Sequence, residues 1–265
     1  MNIIRLHGGI GNQLFQYAFG EYLRLTAGKD VKYDISAFGK AKSQPLRHFE
    51  LEVLNRNIPV VENMPFGHRG LLNKLLRCVV CWMRGSKYLQ GYWQKELYPN
   101  ELLRNNPDFF APRAEKPIEI QAIENEISAN EQSVALHIRR GDYFSSTKAA
   151  KRYGVCDVEY YQKAIAFFLQ QNRKNCKFFV FSDDLDWVKQ HITLPEGTCY
   201  VPNHDLNSFW YIYLMSCCRH NIISNSSFSW WGAYLNKNND KVVVCPLRWM
   251  LNSNKTIALE DWVKI

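Results

Sequence analysis

The second half of the chain alternates strand-like and helical patterns, and few folds accommodate such an order. Short apolar runs at 133–138, 177–181, 198–201, 220–223 and 241–245 read as strands, and between them 158–171, 185–191, 207–217 and 228–236 carry helical periodicity. Strands that are apolar on both faces and joined by helices predict a parallel, doubly wound α/β sheet. The first half repeats the theme less regularly, with a strand at 2–6, a glycine loop, a helix over 13–26, a strand at 31–34 and another near 88–92. Two Rossmann-like halves facing each other across a cleft are therefore expected.

A chain of 265 residues has room for two such halves. With 46% hydrophobic and 22% charged residues it falls outside disordered and collagen-like classes. No apolar run reaches the ~18 residues of a membrane span, and residues 1–10 lack a signal-peptide layout. The expectation is a soluble, cytoplasmic protein. A net charge of +8 points to a polyanionic partner: nucleic acid, a phosphorylated ligand or an anionic membrane surface.

That charge is local. Residues 38–95 hold ten Lys/Arg against three acids, whereas 96–131 hold eight acids against three bases. The change coincides with 105–117, whose three prolines continue neither a helix nor a central strand. The expected domains are 1–117 and 118–265. Within the basic region, Leu71–Met83 reads as an amphipathic helix, with Lys74, Arg77 and Arg84 on one arc and Leu71, Leu72, Leu75, Leu76, Val79 and Trp82 on the other. Packing of the apolar arc on its own domain is the default reading. Peripheral contact with an anionic membrane is the alternative. Nucleic acid is disfavoured, because the basic region lacks interleaved stacking aromatics. The eight cysteines lie mostly in apolar runs, and Cys78/Cys81 lacks the second pair of a zinc site, so buried thiols are expected.

Three polar clusters stand at the carboxyl ends of predicted strands, where open parallel sheets bind ligands. The first, His137-Ile138-Arg139-Arg140-Gly141-Asp142-Tyr143, offers adjacent arginines suited to a diphosphate, or equally to a carboxylate within the domain. In the second, Phe181–Asp186, Ser182 or Asp183 suits a helix N-cap. Alternatively one carboxylate suits a ribose or purine edge, or Asp184 and Asp186 a divalent metal. The third, Ser224–Gly232, has four serines in six residues opening a helix, more than capping needs, which suits an anion. At the other end, His7-Gly8-Gly9-Ile10-Gly11-Asn12-Gln13 joins strand to helix, but it fits neither a dinucleotide fingerprint nor a P-loop.

Together, residues 8–18, Gly91-Tyr92-Trp93-Gln94, 137–143, Phe181-Ser182-Asp183, Leu214-Met215-Ser216 and 224–236 resemble the bacterial α-1,2-fucosyltransferases of glycosyltransferase family 11. The resemblance implies a GT-B fold, an N-terminal acceptor-side domain and a C-terminal domain that binds GDP-β-L-fucose. It implies inverting transfer of fucose to a β-galactoside in O-antigen biosynthesis, without cofactor or metal. Carried over by position, Arg139 stabilises the departing GDP, His137 and Asp183 hold guanosine, and Ser226 and Ser227 take phosphate oxygens. Asn12 and Gln13 reach the fucose or the diphosphate. Gly9, Gly11, Arg140, Asn225 and Phe228 complete the expected binding residues. Tyr211 departs from the pattern, standing where an acidic residue is expected.

The reaction calls for a proton acceptor. Asp142 is the first candidate and His7 the second, although a dissociative step can proceed without one. Two rivals are a non-catalytic glycan-binding protein, motivated by 14% aromatic residues, and a metal-dependent glycosyltransferase using Asp184/Asp186. A basic surface outside the donor pocket fits an enzyme approaching a membrane-anchored glycan precursor.

Overall fold

The computed structural model describes residues 1–39, 47–54, 56–64, 70–140, 156–170, 176–251 and 253–265. These fall into two units, Met1–Ala114 and Glu115–Ile265.

The first unit contains β1 (Asn2–Arg5), α1 (Ile10–Ala27), β2 (Val31–Asp34), a 3₁₀ turn at Leu51–Leu54, β3 (Val60–Val61), α2 (Leu71–Met83), β4 (Lys87–Leu89) and α3 (Leu97–Asn105). Its sheet is parallel throughout, in the order β3-β2-β1-β4. Alternation along β1 sends Ile4 and Ile3 to opposite faces. Ile4 is paired with Tyr33, whose hydroxyl donates to the Tyr17 carbonyl of α1 at 3.1 Å. On the opposite face Ile3 packs with Tyr88 of β4 and Cys81 of α2.

Helix α2 has the expected bounds but the opposite orientation. Arg77 and Cys81 are buried, whereas Leu71, Leu72, Leu75, Val79, Trp82 and Met83 are all 49–76% exposed. The expectation that the apolar arc packs on its own domain is thus corrected. The physical reason is a buried polar cluster beneath the helix. Asp34 accepts from Tyr88 Oη at 2.6 Å and from Ser36 N at 2.9 Å, and the Arg77 guanidinium lies 5.4 Å from the Tyr88 ring. A carboxylate this deep calls for a cation nearby, so the arginine side turns inward. Burial, and then Asp34, push the Tyr88 hydroxyl well above its usual range.

The second unit runs α4 (Ile118–Ser128), β5 (Ser133–Ile138), α5 (Val158–Gln170), β6 (Lys177–Ser182), α6 (Leu185–His191), β7 (Cys199–Tyr200), α7 (Phe209–Cys217), β8 (His220–Ile222), α8 (Ser227–Tyr234), β9 (Val243–Cys245) and β10 (Val263–Lys264). All its strand pairs are parallel, in the order β10-β9-β8-β5-β6-β7. Every residue of β5 is buried, as a central parallel strand requires. Val134, Leu136 and Ile138 pack with Tyr161, Ile165 and Phe168 of α5 and with Val180 of β6. Helix α7 is apolar on nearly all sides and correspondingly buried.

Helix α8 lies close against α7. A Cβ on Gly232 would stand 2.7 Å from the Met215 Cβ, so only glycine permits this approach. Trp230 and Trp231 are both core residues, at 1% and 0% exposure. Helix α4 was not anticipated, because its buried stripe, Ile120, Ile123 and Ile127, is thin and set among acids. The eight cysteines form no disulfide, and Cys78 and Cys81 pack beside Ile3 and Tyr88.

Candidate functional site

Numbered within the second unit, the strand order is 3-2-1-4-5-6, and β5 and β8 are the neighbours at which the winding reverses. The crevice at the carboxyl ends of such a pair is where open α/β sheets take ligands. The chain places its first cluster at the end of β5, its third at the end of β8, and its second at the end of adjacent β6. All three converge there, as their positions suggested.

His137 and Ser224 tie two of these exits together, with Nδ1 and Oγ 2.9 Å apart. The imidazole is 6% exposed, and its ring centroid is 5.3 Å from that of Phe228. Burial first, then the nearby Arg139 charge, depress its pKa to about 3, so it is neutral at ordinary pH. These contacts make His137 a wall of the crevice and an orienting partner of Ser224.

Ser226 is the N-cap of α8, its hydroxyl accepting from Phe228 N at 3.3 Å. Ser227 begins the helix and is half-buried. No acid occupies the first turn, so the helix start keeps its partial positive charge. Asn225 is turned inward, donating to the Trp249 carbonyl at 3.1 Å with its Oδ1 3.6 Å from Cys156 Sγ. Asn225 thus ties the β8 exit to the loop after β9. Beside it opens a cavity of about 280 Å³, lined in part by Cys156, Tyr160, Arg248 and Leu251. No motif marked these residues, which become neighbours only when the start of α5 meets the segment after β9.

The second of the adjacent arginines has a structural role. Arg140 N donates to Asp183 Oδ1 at 2.7 Å, and its guanidinium lies 3.7 Å over the Trp187 ring, with Nε 3.8 Å from Asp184 Oδ2. Arg140 therefore braces β5 against α6. Asp183 holds the same junction through Oδ1 and is exposed. Asp184, rather than Ser182 or Asp183, caps α6, accepting from Trp187 N at 3.1 Å. Engaged by the cap and by Arg140, Asp184 is a poor member of a metal-binding pair with Asp186. Arg139, half-buried, directly follows β5. Asp142 lies outside the described residues.

The first unit has its own point of reversal, between β1 and β4. Gly8 takes φ +84°, and a Cβ there would stand 2.8 Å from Asn12 Nδ2, so the turn after β1 requires glycine. Gly9 caps α1, its carbonyl accepting from Asn12 N and Gln13 N at 2.9 and 3.2 Å, and Gly11 is buried in the first turn. Asn12 is half-buried, and its Oδ1 accepts from Gln94 Nε2 at 2.9 Å. Gln13 is fully buried, donating to the Gly8 and His48 carbonyls and accepting from Glu50 N. It pins the 48–50 segment to the start of α1.

His7 has a defined tautomer. Gln16 Oε1 accepts from His7 N at 2.9 Å, so the other end of the amide is NH₂, which donates to His7 Nδ1 at 3.0 Å and to the Gly91 carbonyl at 3.2 Å. An Nδ1 that accepts leaves the neutral ring's proton on Nε2. The imidazole is thus positioned by Gln16 through Nδ1. Gln16 was missed because a glutamine on a buried helix face reads as packing. Tyr211, the departure from the pattern, bonds the His204 backbone through its hydroxyl, accepting from N at 2.7 Å.

Among the described residues, no helix is long and apolar enough to cross a membrane. The model of Glycosyl transferase family 11 matches residues 64–265. The chain is 31% identical to the alpha-1,2-colitosyltransferase of Escherichia coli, covering 99% of this chain and 98% of that protein. It is 29% identical to the O-antigen biosynthesis glycosyltransferase WbnK of Escherichia coli, over 98% and 99%. Human Galactoside alpha-(1,2)-fucosyltransferase 1 is 28% identical over 104 residues, 38% of this chain and 28% of that protein. Among solved structures, the fucosyltransferase NodZ from Bradyrhizobium superposes with a TM-score of 0.55 at 15% identity, covering 88% of this chain and 91% of the other. That likeness is one of fold, the GT-B class of paired parallel α/β units. Matched by the family model over three quarters of its length and by full-length relatives, the chain belongs to glycosyl transferase family 11.

Proposed function

We propose that this glycosyltransferase moves L-fucose, with inversion, from GDP-β-L-fucose to the 2-hydroxyl of a terminal β-galactoside in a bacterial surface glycan. One observation carries the reading: the end of β5, which Arg139 follows, and the end of β8, which leads into α8, stand side by side at the winding reversal of a 3-2-1-4-5-6 sheet, while Arg140 is stacked on Trp187. Breaking the glycosidic bond leaves negative charge on the diphosphate. A fixed guanidinium and the N-terminal end of a helix, in a site already built, stabilise that charge without reorganising. Ser226 and Ser227 add hydroxyls at the helix start. With this cationic set the reaction proceeds without a metal, and the first unit, with Asn12 and the His7 donor, serves the acceptor side. The relatives named for α-1,2 transfer and for O-antigen synthesis support the linkage and the acceptor class.

The test incubates the protein with GDP-fucose or GDP-colitose and a panel of β-galactosides, with and without excess chelator, and reads product linkage by NMR. An α-1,2-fucosylated product, undiminished by chelator and reduced about 10²–10³-fold by Arg139→Ala, is the expected result. Exclusive use of GDP-colitose overturns the donor while keeping the linkage. A strict metal requirement restores the Asp184/Asp186 reading, and no transfer from either donor favours a glycan-binding protein.

A further inference from the structure

Helix α2 shows an arrangement the transferase reading does not use. At about 100° per residue, Leu71, Leu72, Leu75, Val79, Trp82 and Met83 fall within about 120° of arc, and each is at least 49% exposed. Soluble surfaces seldom gather six large apolar side chains on one face. The opposite side of the helix is anchored by Arg77 and Cys81, so the apolar arc is held outward by the fold. The exposed charges on the helix and just after it are cationic: Lys74, the C-cap Arg84 and Lys87. No acidic residue occurs between Glu62 and Glu96.

We infer that this face of α2 docks the protein on an anionic lipid bilayer. An interfacial helix needs an apolar face to sink between headgroups and a basic rim to meet them, and α2 presents both on its outward side. A second copy of the chain is the other apolar occupant to consider. Pairing through the same face brings the exposed Lys74, Arg84 and Lys87 of each copy against like charges, in a stretch of sequence from 63 to 95 that holds no acid, so charge complementarity selects the anionic surface. Anchoring on Arg77 keeps the helix parallel to the unit's surface, and the contact is peripheral.

The inference is tested apart from the transferase reading, because vesicle partition is measured without donor or acceptor. The full chain is co-sedimented with vesicles of phosphatidylglycerol and phosphatidylethanolamine, and with vesicles of phosphatidylcholine alone, at low and high salt. The expected result is at least tenfold stronger partition to the anionic vesicles at low salt. L72E/W82E lowers that partition at least tenfold, and K74E/R84E/K87E removes the lipid preference. Both variants keep the wild-type far-ultraviolet circular dichroism. Equal partition to both vesicle types, or partition unchanged in L72E/W82E, overturns the inference. A concentration-dependent dimer that L72E/W82E dissociates, without vesicle binding, assigns the face to a second copy instead.

Discussion

The amide of Gln16 donates to Nδ1 of His7 at 3.0 Å while its oxygen accepts from the His7 backbone N–H at 2.9 Å, so one side chain sets both the place and the tautomer of the imidazole. Nine residues apart, the two meet because α1 turns back over the end of β1.

Gln16→Glu replaces the donor facing Nδ1 with a carboxylate. The ring proton then moves to Nδ1 and the imidazole pKa rises. Long-range ¹H–¹⁵N correlation spectra are expected to show protonated Nε2 in the wild type and the reverse pattern in the variant. The same spectrum in both proteins would refute the tautomer assignment.

Arg140→Ala and Arg139→Ala are expected to fail differently. Loss of Arg140 removes the stack on Trp187 and the contact with Asp184, at about 0.5–1 kcal/mol for the cation–π part. Its main effect falls on stability, read by urea unfolding. Loss of Arg139 falls on turnover with KM for the acceptor little changed, since leaving-group stabilisation acts mostly in the transition state. An Arg140→Ala variant with full stability and no turnover contradicts this division.

His137 makes the second unit acid-sensitive. Its pKa is about 3 in the fold against 6.5 unfolded, so between those values the unfolded chain holds a proton that the folded chain excludes. Stability from this group is intact above pH 6.5. It falls by up to about 1.4 kcal/mol per pH unit as the pH drops toward 3. Urea unfolding at pH 7 and pH 5 is expected to show a smaller acid loss in His137→Asn, which still bonds Ser224 but does not titrate. An equal loss in both proteins removes His137 from the account.

Gly232→Ala forces a Cβ to 2.7 Å from that of Met215 and pushes α8 away from α7. Overpacking of this kind costs about 1–3 kcal/mol, a fall in Tm of roughly 3–10 °C for a unit of this size. Because α8 carries Ser226 at its start, donor affinity is expected to weaken along with stability. A variant as stable as wild type would show that the helices slide apart freely.

Most of the second unit was legible in the sequence because each signal was local. Strand β5 and helices α2 and α6 have the expected bounds, and β6, α5 and β8 lie within one residue of theirs. Helix α1 starts three residues early, at Ile10, because Gly9 is its N-cap. Two-residue strands such as β3 and β10 carry no pattern of their own and exist only because a neighbouring strand pairs with them.

By itself the sequence determined which segments fold as strands and helices, that polar clusters stand at strand ends, and the family motifs that name the chemistry. Those are properties of residue order. Only the tertiary structure decided what each polar side chain does within a cluster. Arg139 and Arg140 are adjacent and chemically identical, and residue order gave no reason to set Arg140 against Trp187 and Asp184; it is held there because α6 packs beside the β5 exit. The same reason governs α2. Periodicity showed two arcs, but which one faces inward depends on Asp34 and Tyr88 beneath it, a buried charge whose cost outweighs covering a leucine face.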